Sequence, residues 1–96
     1  MDLLTLEHFA GCMNERFRAA LQDGDIEFTL VEAQPLPRPP PGALRLPFSL
    51  VFRNESVLLY PQQLYRMRHE RVGEFDIFLV PIARDRDGFL YQAIFN

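Results

Sequence analysis

The sequence predicts a mainly β fold: a small antiparallel barrel or two-layer sandwich of five to six strands with one short N-terminal helix. Three observations carry this. Apolar and polar residues alternate with period two through most of the chain, as in Phe17, Ala19, Leu21 and again in Phe48, Leu50, Phe52. Turn-forming clusters, Asp23-Gly24 and Asp85-Arg86-Asp87-Gly88, separate alternating runs. Helical spacing occurs once, near the start.

That helix is expected over about residues 5–13. Thr5 is an N-cap residue type, and Leu6, Phe9, Ala10 and Met13 follow at helical intervals, with Gly11 a weak point in the middle. The first hairpin follows. With Asp23 and Gly24 as its loop, Leu21 faces Ile26, Ala19 faces Phe28 and Phe17 faces Leu30. Prolines at 35, 37, 39, 40 and 41 then rule out a central strand, so residues 35–42 are expected as an extended polyproline-like connector on the surface.

Strand character returns at Phe48 to Arg53. Gln63 to Glu70 alternates again, with Tyr65, Met67 and His69 on one face. A loop of Arg71, Val72 and Gly73 would set these three against Leu79, Ile77 and Phe75. The strand from Phe75 to Ile82 is apolar on both faces, so its second face, Phe78, Val80 and Ile82, is expected under the helix or under Leu58-Leu59-Tyr60. The last strand runs from Phe89 to Phe95.

The 96 residues fit one domain, residues 1–96, with enough material for a single core. A net charge of -3 argues against a general nucleic-acid binder. One cysteine, Cys12, excludes an intrachain disulfide and a cysteine-rich zinc site, and fits a cytoplasmic setting. No apolar run approaches the ~20 residues of a membrane span. With nine Phe and three Tyr to house, the interior is expected to be filled by its own side chains.

Few residues suggest chemistry. His8 and Cys12 lie four apart on the expected helix, but two ligands make half a metal site, and a Cys–His pair alone lacks an orienting group. The two Asp-Gly clusters lack the further oxygen ligands of a calcium loop and read as turns. No phosphate-cradling loop, nucleophile elbow or paired-His zinc motif occurs. Neither catalytic residue, metal nor cofactor is therefore expected. The candidate contact surface is the basic cluster Arg66, Arg68 and Arg71, together with the proline segment through Pro37, Arg38 and Pro40, which has PxxP spacing.

Leu4-Thr5-Leu6-Glu7-His8-Phe9, Phe28-Thr29-Leu30-Val31-Glu32-Ala33, Pro47-Phe48-Ser49-Leu50-Val51-Phe52, Phe78-Leu79-Val80-Pro81 and Tyr91-Gln92-Ala93-Ile94-Phe95-Asn96 together resemble a family of small uncharacterised bacterial domains of unknown function. The resemblance implies an association with phage-tail-collar-like proteins and carries no catalytic residue. The expected function is a non-enzymatic interaction or structural module with a protein partner, an accessory or adaptor of a phage-tail-like assembly, able to self-associate through an edge strand. The alternative is a small-molecule-binding or enzymatic small barrel, with a shallow pocket near His69 that also uses Tyr65 or Glu70.

Overall fold

The computed structural model describes residues 4–37, 41–42 and 46–96. A helix, α1 (Leu6–Ala10), precedes six strands: β1 (Arg16–Leu21), β2 (Gly24–Pro35), β3 (Phe48–Asn54), β4 (Gln63–His69), β5 (Gly73–Asp85) and β6 (Gly88–Phe95). The strands close an antiparallel barrel in the order β1-β2-β3-β6-β5-β4. Of the two expected architectures, the barrel forms.

The helix is shorter than the 5–13 expected. Gly11 caps it, Asn14 turns into the left-handed region at φ 65°, and Asn14 N–H donates to Leu30 O at 2.7 Å. The chain leaves the helix early because its backbone is claimed by β2. At the proline segment, Pro35 ends β2 opposite Phe48, and Leu36 N–H donates to Pro47 O. Pro37 is an exposed bend, whereas Arg38 and Pro40 lie outside the described residues.

Two registers differ from expectation, both by two residues. Phe17 faces Phe28 and Ala19 faces Ile26; Tyr65 faces Ile77 and Met67 faces Phe75. In both hairpins the glycine stands on the returning strand instead of in the loop, with Leu21 opposite Gly24 and His69 opposite Gly73. A two-residue shift leaves each side chain on its original face, so hydrophobic alternation is blind to it.

Inward-facing rings fill the barrel. Phe17, Phe28, Phe52, Tyr65 and Tyr91 are buried and meet one another mostly edge-to-face, as in Phe17 on Phe52 at 5.3 Å between centroids. Phe9 of α1 closes one end, 5.6 to 6.1 Å from the rings of Phe17, Phe48, Phe75 and Phe95. The segment from Glu55 to Gln62 crosses the other end, where Tyr60 N–H donates to Tyr91 Oη at 2.9 Å. Because both covering segments go to the barrel ends, the outer face of β5 stays open, contrary to the expected cover. Phe78 is 48% exposed and Ile82 47%.

Candidate interaction surface

At the α1 end the turn after the helix meets the β4–β5 loop. His69 has a nearly buried ring, 5% exposed, tilted against Phe17 at 4.5 Å between centroids. Its Nδ1 accepts from the backbone N–H groups of Arg71 (3.1 Å) and Val72 (3.3 Å). Two donors at Nδ1 leave the ring proton on Nε2, which donates to Glu15 Oε1 at 2.8 Å. Arg71 Nη2 reaches both Glu15 oxygens at 2.7 and 2.8 Å and lies 3.6 Å from Cys12 Sγ. The Arg71 hydrogen bond first, and the His69 bond second, hold the Glu15 carboxyl below its ordinary range.

Cys12, Glu15 and His69 place three potential ligand atoms within 4.8 Å of one another. The site does not suit a cation. The His69 nitrogen facing it carries a proton instead of a lone pair, and a guanidinium already occupies the carboxylate. His8 does not join Cys12 through its ring: its Nδ1 accepts from Thr5 N–H, and the Cys12 thiol donates to the His8 carbonyl. Nor do His69, Tyr65 and Glu70 converge. Tyr65 Oη donates to Pro61 O at the opposite end, where burial pushes its pKa up to about 12, and Glu70 is exposed in the loop.

The three expected arginines are answered within the chain. Arg66 holds Asp76 at 3.3 Å and Glu74 at 3.2 Å, Arg68 holds Asp25 at 2.9 Å, and Arg71 holds Glu15. Arg66 and Arg68 lie on the outer wall of β4, while Arg71 is in the loop beyond it.

Two outer surfaces near these arginines offer contact chemistry. The first is a cleft of about 450 Å³ lined by Arg16, Arg18, Arg68, His69, Glu70, Gly73 and Glu74. It lies where β1 meets β4, a ladder of two pairs only, Arg18 opposite Arg68 and Ala19 opposite Met67. Arg16 and Arg18 were legible as the polar face of β1. What the sequence could not show is that barrel closure brings Arg18 against Arg68.

The second surface is apolar. On the wall of β4, β5 and β6, Leu64 (61% exposed) stands opposite Phe78. On β6 the exposed Ile94 stands two residues beyond Gln92, the partner of Val80 on β5. Leu64 and Phe78 thus form an exposed apolar pair across β4 and β5, with Arg66 and Asp76 at its rim, and Ile94 adds a third exposed apolar side chain on β6. On a polar barrel wall exposed apolar side chains of this kind mark a candidate contact site.

The model of a family described as a domain of unknown function (DUF6916) matches residues 4–95, so the chain belongs to that family. Neither a curated protein nor a solved structure matches.

Proposed function

We propose that this DUF6916 domain is a non-enzymatic interaction module that meets a second copy of itself through the wall of β4, β5 and β6. The observation that carries the reading is the exposure of three large apolar side chains on these strands, Leu64 opposite Phe78 and Ile94 on β6. Support also comes from the ring-filled interior, and from the mutual engagement of His69, Glu15 and Arg71, which leaves none of them poised toward a substrate.

A two-fold contact needs a face complementary to itself. This wall offers rings and aliphatic groups in the middle, and both signs of charge at the rim in Arg66 and Asp76. Barrel closure is why the wall, instead of a free edge strand, is the contact: Met67 and Arg68 of β4 ladder to β1, while Gln63 to Arg66 and His69 do not. Three strands ~4.8 Å apart and about 20 Å long give a footprint of roughly 300 Å². Standard interfaces bury ~800 Å² per partner, so the association is weak, micromolar or above. The sequence resemblance to domains associated with phage-tail-collar-like proteins supports a setting for the module as an accessory or adaptor of a tail-like bacterial assembly in the cytoplasm.

Sedimentation equilibrium from roughly 10 μM to 1 mM tests the contact. The wild-type chain should gain mass with concentration, and Phe78→Glu should remain a monomer with an unchanged thermal midpoint. A wild-type chain that stays monomeric throughout, or a Phe78→Glu chain that associates equally well, overturns the reading.

A further inference from the structure

The cleft between β1 and β4 holds an arrangement that the fold does not need. Arg18 and Arg68 face each other directly, and like charges directly opposite across strands are destabilising. Arg68 is answered by Asp25, but Arg18 has no ion-pair partner among the described residues. Glu27 stands opposite Arg18 on β2, yet its carboxylate turns to Arg16, at a loose 3.8 Å. Of the two acids that line the cleft, Glu74 is held by Arg66, and Glu70 makes no ion pair to either arginine.

Arg16 and Arg18 are two residues apart on one strand, so they project from the same face roughly 6.6 Å apart. An extended chain with acidic residues at alternate positions repeats at that same interval. From this match of charge and spacing we infer that the cleft binds an extended segment of a partner protein, with carboxylates two residues apart set on Arg16 and Arg18. A free phosphate would satisfy the charge but not the spacing. The site is separate from the apolar wall, and its assignment does not rest on self-association.

The test is fluorescence anisotropy at low salt with a labelled Glu-Thr-Glu-Thr-Glu-Thr peptide and its Gln-for-Glu counterpart, against the full chain. The Glu peptide should bind, more weakly as salt is raised, and the Gln peptide should not. R16Q/R18Q should weaken binding roughly fivefold or more, from two partly exposed charge pairs. Phe78→Glu should leave binding unchanged, which separates failure here from failure at the wall. Arg18→Gln should keep or raise the thermal midpoint, because it removes a like-charge neighbour of Arg68. Equal binding of both peptides, indifference to R16Q/R18Q, displacement by inorganic phosphate at the peptide's own concentration, or a lowered midpoint in Arg18→Gln would each overturn the inference.

Discussion

The two ends of the barrel are closed by different physics. At the α1 end a single ring, Phe9, sits among four others, and the seal is mainly non-directional burial, with the Glu15, His69 and Arg71 hydrogen bonds beside it. At the opposite end the seal is directional. Tyr60 N–H donates to Tyr91 Oη, Tyr65 Oη to Pro61 O, and Asn54 Nδ2 to Glu27 O at 2.8 Å, while Ser56 N–H returns a bond to Asn54 Oδ1 at 2.9 Å. A ring plug tolerates small displacements but fails when its volume is removed. A hydrogen-bonded lid fails when one polar partner is orphaned.

The largest break in this comparison should come from Phe9→Ala. Removing a ring with no solvent exposure should cost about 3–5 kcal/mol, read as a lower urea midpoint at an unchanged slope. A loss below ~1 kcal/mol would mean that the plug is dispensable. Next is Gly88→Ala, at the polar end. A Cβ there would overlap Asn54 O and lie 2.9 Å from Glu55 Cα, and φ of 142° already disfavours an L side chain. The expected cost is about 2–3 kcal/mol by the same urea assay, because backbone and not a flexible side chain must move.

Tyr91→Phe removes the acceptor for Tyr60 N–H and should cost about 1–2 kcal/mol. If it costs nothing, the polar lid is held by burial alone, and the contrast between the ends collapses. Tyr65 gives a pH signature. Its folded pKa of about 12 stands above the ordinary 10.0, so the folded chain keeps this proton more tightly than the unfolded chain. Stability should fall as pH rises from 10.0 to about 12, and Tyr65→Phe should flatten that slope in thermal midpoints.

The smallest effect belongs to the α1 end. Glu15 has a depressed folded pKa, so its contribution is present above the ordinary carboxylate range and is lost as pH falls through the folded value. Thermal midpoints of Glu15→Gln and wild type should therefore converge in acid and separate toward neutral pH. Parallel curves would show that the Arg71 and His69 bonds contribute nothing to the α1 end.

How far these features were legible differs residue by residue. Tyr65, Met67, Phe75 and Ile77 are buried as their alternation requires, and Arg66 and Arg68 are exposed. Their pairing partners were misread by two residues, since the glycine that looked like the loop belongs to the returning strand. His69 helps to fix the β4–β5 loop one residue earlier than expected by accepting two of its N–H groups, a role invisible in a residue-by-residue pattern. The apolar second face of β5 was correctly seen as apolar and wrongly expected to be covered. Sequence pattern reports hydrophobicity, but not which segment arrives to shield it.

Taken alone, the order of residues determined the strand-rich class, the single early helix and the inward set of rings, because each depends on neighbours a few positions away. Only the tertiary structure decided that the sheet closes, that Arg18 meets Arg68, and that Phe78 stands opposite Leu64 on open wall. Those facts depend on the stagger between strands distant in the chain, and a period of two leaves that stagger undetermined.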